Sequence, residues 1–303
     1  MSALRQDIEF KTLDGVILRG WFYSPRQDTA QPCIIMASGL GGLKEQFLPD
    51  FAERFQTAGY GVLVYDHRNF GASDGLPRKE CDPTQQARDY SDAFDFAASL
   101  PEVDRSQIIF WGSSMSGSAA IYAAAFDKRI RAAVFQVPFV SGEAKSELFS
   151  KHLTTLYENR CNIKAGKPGA VLQVFAQNSK DAKRPDCTAM VNEPGIIPFL
   201  EELERRNIHW EGAVTAQTIL NIISCEPMAF IHRIAPTPFL MVVSDNDVEA
   251  VTAAQLKAYA SAYEPKRITV LHDADHFKPY FGPTFEENIN AQLNFLNEVL
   301  GKN

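Results

Sequence analysis

The sequence predicts an α/β fold: a mainly parallel sheet with helices on both faces and an inserted, mostly helical lid. Apolar runs of strand length alternate with amphipathic helical segments in both outer parts of the 303-residue chain. This alternation stops after residue 140 and resumes near residue 232. We therefore expect a core formed by residues 1–140 and 232–303, with residues 141–231 inserted as a lid or cap.

The first part of the predicted core begins with a hairpin and continues with strand–helix units. Hydrophobicity alternates in "IEFKTLDGVILRGWFYSP" on both sides of Asp14-Gly15, a dipeptide that suits a hairpin turn. The strands "PCIIMA" and "GVLVY" follow, and each ends in a polar loop that contains glycine. Helices are predicted at "FLPDFAERFQTAGYG" and "TQQARDYSDAFDFAASL". The segment "SQIIFWGSSMSGSAAIYAAAF" predicts a strand that passes directly into an alanine-rich helix, and the strand "RAAVFQVPF" comes next.

The second part of the core follows a segment with a different pattern. Residues 141–231 combine polar loops with helical stretches such as "PGIIPFLEELERRN" and contain no clear buried strand. From "TPFLMVVSDND" the alternation resumes, with a helix at "TAAQLKAYASAY", a strand at "RITVLHDADH" and a terminal helix at "NINAQLNFLNEVL". Ligands of such sheets bind at the carboxyl ends of the strands. The polar residues that follow each strand are therefore the candidates for function.

Charge and composition exclude several classes of protein. The chain has 30 Lys+Arg against 37 Asp+Glu, a net charge of -7, and no basic cluster. This balance argues against a nucleic acid or an anionic membrane surface as the partner. No apolar run reaches the roughly 18 residues that span a bilayer, and the N-terminus lacks the apolar core of a signal peptide, so we expect a cytoplasmic protein. The five cysteines lie far apart and are expected to be reduced.

The stretch "WGSSMSG", residues 111–117, contains three serines at the junction between a predicted strand and a predicted helix. A nucleophile in such a tight turn needs small residues two positions before and two positions after it. Ser113 has bulky residues at both positions, and Ser116 lies one helical turn beyond the strand. Ser114 has Gly112 before it and Ser116 after it, so it is the candidate nucleophile. The alternative is a small-residue turn that only lets the helix pack closely.

A serine hydroxyl needs a neutral imidazole to accept its proton and a carboxylate to orient that imidazole. Two histidines follow the last predicted strand, and we favour His276 because it lies in the polar loop, whereas His272 continues the alternation of the strand. Asp245 and Asp247 both follow the strand "FLMVVS". Asp247 lies deeper in the loop and is our candidate, while Asp245 is suited to bracing the turn; the choice between them stays open.

Two backbone N–H groups are candidates for an oxyanion hole, which stabilises the negative charge that develops on a substrate oxygen. The first belongs to Met115, directly after the candidate nucleophile. The second belongs to Leu40 in "ASGLGG", where glycines on both sides allow close approach of the backbone.

No metal or other cofactor is predicted. The segment that starts at Asp245, "DNDVEAVTAAQL", opens like a calcium-binding loop. It has Ala250 where that loop needs glycine and Leu256 where it needs glutamate. The segment "HDADH" lacks the helical spacing of a zinc site.

Taken together, the motifs resemble the α/β-hydrolase superfamily over most of the chain outside residues 141–231. "YDHRNFGASDG" is similar to the superfamily's turn after strand four, with Asn69 in place of a glycine. "SGLGGLKE", "FWGSSMSG" and "DADHFKPY" resemble the fungal polyketide transferase and thiohydrolase family. The chain departs from the superfamily at Ser38, where a histidine is common, at Ser116, where glycine is usual, and at Val251, where proline is frequent.

The resemblance implies a serine hydrolase or acyltransferase that acts on a thioester- or ester-linked, polyketide-like acyl group. It implies Ser114, His276 and Asp247 as the triad, a small-molecule or carrier-protein-bound acyl substrate, and a polyketide synthase as partner. Two alternatives remain: a non-hydrolytic enzyme that isomerises, condenses or cyclises a biosynthetic intermediate, and a ligand-binding protein. The oligomeric state is not predicted.

Overall fold

The computed structural model describes residues 5–27 and 29–302. Ten strands occur in this part of the chain, eight of them in one central sheet. The strands are β1 (Arg5–Lys11), β2 (Ile17–Tyr23), β3 (Gln31–Ala37), β4 (Gly61–Tyr65), β5 (Val103–Ser113), β6 (Ala132–Gln136), β7 (Val171–Gln173), β8 (Ala213–Thr215), β9 (Phe239–Ser244) and β10 (Lys266–Leu271).

Ten α-helices lie between and after these strands in the same residues. They are α1 (Leu48–Thr57), α2 (Pro83–Ala97), α3 (Met115–Phe126), α4 (Ser146–Ser150), α5 (Leu153–Lys164), α6 (Ser179–Ala182), α7 (Ile196–Arg205), α8 (Ala216–Ile223), α9 (Thr252–Ser261) and α10 (Gly282–Leu300). Short 3₁₀ helices occur at Glu143–Lys145, Pro227–Ile234 and Lys278–Tyr280.

The central sheet has the strand order β1-β2-β4-β3-β5-β6-β9-β10. The pairs β1–β2 and β2–β4 are antiparallel, and every later pair from β4–β3 to β9–β10 is parallel. The predicted hairpin is confirmed, with Gly15 at φ 92° in the turn. Because the parallel strands end at the same edge, the loops after β3, β5, β9 and β10 converge there.

Apolar side chains cover both faces of the sheet and define its two helical layers. On one face, α1 and α10 pack together, with the rings of Phe51 and Phe285 4.8 Å apart. On the other face lie α2, α3 and α9. Nearly every residue of α3 is buried, because its alanines, serines and glycine allow close contact with the sheet. The predicted helices on both faces are therefore confirmed.

Residues 141–231 contain α4 to α8 and a small antiparallel sheet of β7 and β8. The sequence pattern did not indicate these two strands, because three residues are too few to show an alternation of hydrophobicity. The proposed boundary at residue 231 falls inside the 3₁₀ helix Pro227–Ile234, whose Phe230 contacts Tyr122 and Phe126 of α3, both at 5.6 Å between rings.

Within residues 5–27 and 29–302, every helix is too short or too polar to cross a lipid bilayer. All five cysteines are unpaired: Cys33, Cys81 and Cys225 are buried, Cys187 is half-buried and Cys161 is exposed.

Candidate active site

Ser114 lies at the junction between β5 and α3 in a backbone conformation that non-glycine residues seldom adopt. Its φ is 56° and its ψ is −122°. Two backbone hydrogen bonds hold this turn: Ser114 N–H donates to the carbonyl of Gln136 at 3.0 Å, and Phe139 N–H donates to the carbonyl of Ser114 at 2.9 Å. Because these bonds fix the N–H and the carbonyl group of Ser114, they maintain the strained turn. The turn presents the Ser114 hydroxyl at the sheet edge.

The residues around Ser114 explain why the turn needs small side chains. A Cβ atom at Gly112 would lie 2.4 Å from the carbonyl oxygen of Ser116, closer than any real contact. The Ser116 hydroxyl is buried and forms a hydrogen bond with Tyr90 at 2.7 Å. The Ser113 hydroxyl accepts a hydrogen bond from the Gln136 side chain at 3.0 Å. Ser113 and Ser116 therefore stabilise the turn, as expected of packing residues.

The structure brings Ser114, His276 and Asp247 into one hydrogen-bonded line. Ser114 Oγ lies 2.9 Å from His276 Nε2, and His276 Nδ1 lies 2.9 Å from Asp247 Oδ2. A carboxylate accepts hydrogen bonds, so Nδ1 carries the proton and donates to Asp247. Nε2 is then free to accept the proton of the serine hydroxyl.

Three further hydrogen bonds fix the Asp247 carboxylate. Its Oδ1 accepts from the N–H groups of Glu249 and Ala250 at 2.9 and 2.8 Å. Its Oδ2 accepts from Gln255 Nε2 at 2.9 Å, in addition to the imidazole. No sequence pattern predicts this role of Gln255, because a glutamine inside the helix α9 has no pattern of its own. These contacts hold the carboxylate in place beside the imidazole.

Opposing effects determine the pKa values of this pair. Burial acts to lower the pKa of His276, but the negative charge and hydrogen bond of Asp247, together with the charges of Glu249 and Asp275, outweigh it and raise that pKa above its ordinary value. Burial acts to raise the pKa of Asp247, but His276 and the hydrogen-bond donors around the carboxylate lower that pKa overall. The carboxylate therefore stabilises the charged imidazolium.

The alternative acid and base lie outside this line. The Asp245 carboxylate accepts from the N–H groups of Asp273 and Ala274 at 3.0 and 3.1 Å, which is the bracing role expected for it. His272 Nδ1 lies 3.3 Å from Asp245 Oδ2, and 81% of the His272 side chain is exposed. Asp245 thus connects the loops after β9 and β10.

The loop after β3 approaches the candidate nucleophile closely. A Cβ atom at Gly39 would lie 3.1 Å from Ser114 Cβ, so glycine permits this approach. Leu40, the next residue, lines the same cavity as Met115, Ser114 and His276. The N–H of Leu40 donates to no acceptor in the described part of the chain. The N–H of Met115 lies at the first position of α3, where helical N–H groups have no partner within the helix.

A buried ion pair positions the loop after β3, and the motif "YDHRNFGASDG" supplies its acid. Asp66 accepts from Lys44 N–H and from Lys44 Nζ, both at 2.8 Å, and from Ala72 N–H at 2.9 Å. The Asp66 side chain is fully buried. It therefore connects the loop that contains Leu40 to the loop after β4. The motif is visible in the sequence, but the role of Asp66 is not, because Lys44 lies 22 residues away in the chain.

Two cavities meet at Ser114. The first, which we call the apolar cavity, also contains one charged pair, Lys145 and Glu249, whose Nζ and Oε2 atoms are 3.7 Å apart. Its remaining walls include Leu148, Phe149, Val174, Val191, Ile219 and Ile222. The second, the aromatic cavity, shares Leu40, Ser114, Phe175 and His276 with the first. Its other walls include Phe47, Phe199, Trp210, Phe277 and Tyr280.

Among the residues that the structure describes, no group of three or more histidines, cysteines, aspartates or glutamates is arranged to hold a metal ion.

The sequence and the fold both match known proteins over almost the full chain. The family model described as serine aminopeptidase, S33 matches residues 28–277. The chain is 34% identical to the polyketide transferase grgF of a Penicillium species, with 96% of each protein covered. It is 31% identical to the thiohydrolase aneE of Aspergillus aculeatus, covering 97% of this chain and 93% of that protein.

A crystal structure of the α/β hydrolase GrgF from Penicillium sp. sh18 superimposes on this protein with a TM-score of 0.85 at 33% identity. The superposition covers 98% of this chain and 99% of the other. The α/β-hydrolase fold and the resemblance to fungal polyketide transferases and thiohydrolases are confirmed. The chain belongs to the serine aminopeptidase S33 family of α/β hydrolases.

Proposed function

We propose that this protein is a serine hydrolase or acyltransferase that forms an acyl-enzyme on Ser114. Its substrate is a thioester or ester of a polyketide-like acyl group. The observation that carries the proposal is the hydrogen-bonded line from Asp247 through His276 to Ser114, with both distances at 2.9 Å. A hydroxyl on a strained turn, a base and a buried carboxylate in this order are the parts that acyl transfer through a serine requires.

The first half of the reaction forms the acyl-enzyme. Ser114 Oγ attacks the acyl carbon while His276 Nε2 takes its proton, and Asp247 stabilises the resulting imidazolium. The N–H groups of Leu40 and Met115 donate to the developing oxyanion. When the tetrahedral intermediate collapses, the bond to the thiol or alcohol breaks and His276 returns the proton to that leaving group.

The second half releases the acyl group. Water or an alcohol attacks the acyl carbon of the acyl-enzyme, and its proton passes to His276 Nε2. The Ser114 Oγ–carbon bond then breaks, and Ser114 recovers its proton from His276. The product is a free acid when water attacks and an ester when an alcohol attacks.

The apolar cavity supports an acyl chain as the group that is transferred. Residues 141–231, which we propose as an inserted lid, supply most of its walls, including Leu148, Phe149 and Ile219. Burying hydrocarbon against such walls contributes about 0.8 kcal/mol for each methylene group. The names of two relatives, a polyketide transferase and a thiohydrolase, suggest that the acyl group is polyketide-like and thioester-bound.

A non-hydrolytic enzyme and a ligand-binding protein are the alternatives. A binding protein needs neither a strained serine nor a base 2.9 Å from its hydroxyl. A non-hydrolytic enzyme would use Ser114 only as a hydrogen-bond donor and would form no covalent intermediate.

Covalent labelling separates these possibilities. A fluorophosphonate probe should add one adduct to the protein, detected by intact mass, and the adduct should be absent from Ser114→Ala. The control Ser99→Ala makes the same chemical change at an exposed position and should label like the original protein. An unlabelled protein, or a Ser114→Ala variant that labels equally, would exclude Ser114 as the nucleophile. Turnover of an N-acetylcysteamine thioester then tests the substrate class.

A further inference from the structure

The apolar cavity contains one pair of charged side chains, Lys145 and Glu249, that the proposed reaction does not use. Apart from Ser114 and His276, they are the only polar side chains among the described residues that line this cavity. Their Nζ and Oε2 atoms are 3.7 Å apart, and the two side chains are only 17% and 16% exposed. Charged groups in apolar surroundings are unfavourable unless polar partners replace the lost water. A pair kept at this cost in a cavity beside Ser114 points to a role in binding.

Both charged groups keep unused hydrogen-bonding capacity. Their separation of 3.7 Å is longer than a hydrogen bond, and neither Lys145 Nζ nor the Glu249 carboxylate forms a hydrogen bond with another residue in the described part of the chain. Both groups also keep accessible surface, unlike the fully enclosed polar atoms of this protein, so a bound molecule can touch them. The ammonium offers three N–H donors, and the carboxylate offers two acceptor oxygens. A ligand in the cavity therefore meets a donor and an acceptor side by side.

Backbone contacts fix the two segments that carry the pair. Glu249 N–H donates to Asp247 Oδ1 at 2.9 Å, so Glu249 lies directly beside the acid of the proposed triad. Lys145 comes from a different segment, where it ends the 3₁₀ helix Glu143–Lys145. A Cβ atom at Gly142, just before this helix, would lie 2.4 Å from the carbonyl oxygen of Ile222, so the backbone there packs tightly against α8. The donor and the acceptor are thus positioned before a ligand binds.

A hydroxyl group matches this pair better than other polar groups do. Its oxygen accepts from Lys145 Nζ while its O–H donates to Glu249, and an oxygen about 2.8 Å from both atoms fits between them. A carbonyl oxygen can only accept, so it leaves Glu249 unpaired. A carboxylate is attracted by Lys145 but repelled by Glu249, because the pair has no net charge. The hydroxyl is therefore the neutral group that satisfies both side chains.

We propose that the apolar cavity selects an acyl group that carries a hydroxyl on its hydrocarbon chain, and that Lys145 and Glu249 together bind this hydroxyl. The proposal rests on the proposed acyl-enzyme at Ser114. The apolar walls of the cavity cover the hydrocarbon, while the charged pair reads the single polar substituent. Lys145 and Glu249 are thus specificity-determining residues and take no part in making or breaking bonds.

The same pair disfavours an acyl group without the hydroxyl. A plain hydrocarbon chain in the cavity takes water away from Lys145 and Glu249 and returns no hydrogen bond, which is unfavourable. A site built to hydrogen-bond a hydroxyl rejects the analogue that lacks it more strongly than an apolar pocket rejects one missing methylene. The pair therefore discriminates between hydroxyacyl groups and unsubstituted acyl groups of the same length.

Competition between acyl donors tests this selectivity. The protein receives octanoyl N-acetylcysteamine thioester mixed with an equal amount of its 3-, 5- or 7-hydroxy derivative, so that positions along the whole chain are sampled. Liquid chromatography and mass spectrometry follow the consumption of each thioester, and the rate without protein is subtracted. Because both donors compete for one site, the ratio of their kcat/KM values does not depend on the folded fraction.

The original protein should consume at least one hydroxyoctanoyl thioester about tenfold faster than the octanoyl thioester, the effect of a hydrogen bond to a charged group. The oxo derivative at the preferred position should react more slowly than the hydroxy derivative, because it cannot donate to Glu249. Lys145→Met keeps a side chain of similar length without the ammonium and should remove most of the preference. Lys151→Met makes the same change at an exposed lysine directly after α4 and should keep the preference.

A second variant, Glu249→Gln, tests the charge balance of the pair. The amide oxygen still accepts from the hydroxyl, but the charge of Lys145 is then unopposed in the cavity. A thioester of suberic acid, whose far end is a carboxylate, should therefore gain about tenfold relative to the octanoyl thioester in this variant.

Two results would overturn the proposal while the acyl-enzyme itself stands. If none of the three hydroxy derivatives reacts faster than the octanoyl thioester, or if Lys145→Met keeps the preference, the pair only joins residues 141–231 to the loop after β9. If the suberic thioester gains nothing in Glu249→Gln, Lys145 does not contact the acyl chain. A protein that consumes no thioester and shows no acyl-enzyme by intact mass would instead reject the proposed function, and the hydroxyl-binding role with it.

Discussion

The proposed reacting groups and the proposed acyl-binding wall differ in how tightly the protein holds them. Asp247 and His276 are 3% and 7% exposed, and neighbouring residues satisfy their polar atoms. Leu148, which lines the apolar cavity from residues 141–231, is 41% exposed, and α5 in the same segment buries only Leu156. Substitution of a side chain that several buried contacts fix usually destabilises the fold, whereas substitution in a half-exposed wall changes the free energy of unfolding little. We therefore expect substitutions at the sheet edge to abolish turnover and substitutions in residues 141–231 to alter acyl preference.

The largest loss of turnover is expected from substitution of Asp247. Asp247→Asn removes the charge that stabilises the imidazolium and the acceptor that fixes its tautomer, so kcat for an acyl ester should fall about 10⁴-fold. Asp245→Asn is the matched control two residues away, and it should lose less than about tenfold because Asp245 only braces the loops. Steady-state kinetics on p-nitrophenyl butyrate provides the measurement. A larger loss in Asp245→Asn would reverse the assignment of the acid.

Two glycine-to-alanine substitutions test whether the same two regions also differ in how strongly a substitution lowers protein stability. Gly112→Ala places a methyl group 2.4 Å from the Ser116 carbonyl oxygen in the rigid turn, so it should lower the free energy of unfolding by about 3 kcal/mol. In residues 141–231, Gly166→Ala meets no atom within 4 Å, and only its φ of 79° opposes the change. We expect Gly166→Ala to lower the free energy of unfolding by about 1 kcal/mol. Urea unfolding measures both, and equal costs would contradict the contrast between the regions.

The pH dependence tests the charge coupling at the sheet edge. The proposed acylation requires neutral His276, so kcat/KM should fall tenfold for each pH unit below the pKa of that imidazole. Asp247, with smaller contributions from Glu249 and Asp275, holds this pKa above its ordinary value of 6.5, so the fall should begin above pH 6.5. Asp247→Asn removes the stabilising charge and should move the fall to lower pH. An unmoved profile in Asp247→Asn would show that the carboxylate does not act on the imidazole.

The smallest effect is expected at the apolar cavity. In the proposed complex a long acyl chain covers the Leu148 side chain, and Leu148→Ala removes apolar contact worth about 1 kcal/mol of binding free energy. The ratio of kcat/KM for p-nitrophenyl octanoate to that for the acetate should therefore fall about fivefold. Leu13→Ala, in the hairpin at a side chain that is 97% exposed, should keep the original ratio. A ratio unchanged in Leu148→Ala would place the acyl chain elsewhere.

The sequence by itself determined the local elements and the candidate reacting groups. Ser114 could be selected from three serines because the steric demands of the turn act on residues two positions away. The hairpin, the parallel strands and their helices followed from the period of hydrophobicity, which is a local property. The strands β7 and β8 escaped detection because each has three residues.

Only the tertiary structure decided which side chains meet. His276 lies 162 residues from Ser114 and 29 residues from Asp247 in the chain, and the order of the strands brings the three together. The roles of Gln255 and Asp66 depend on hydrogen bonds between distant segments, and no local pattern encodes these contacts. The periodicity of a sequence reports which face of an element is buried, whereas a hydrogen bond between distant residues depends on the relative position of whole elements.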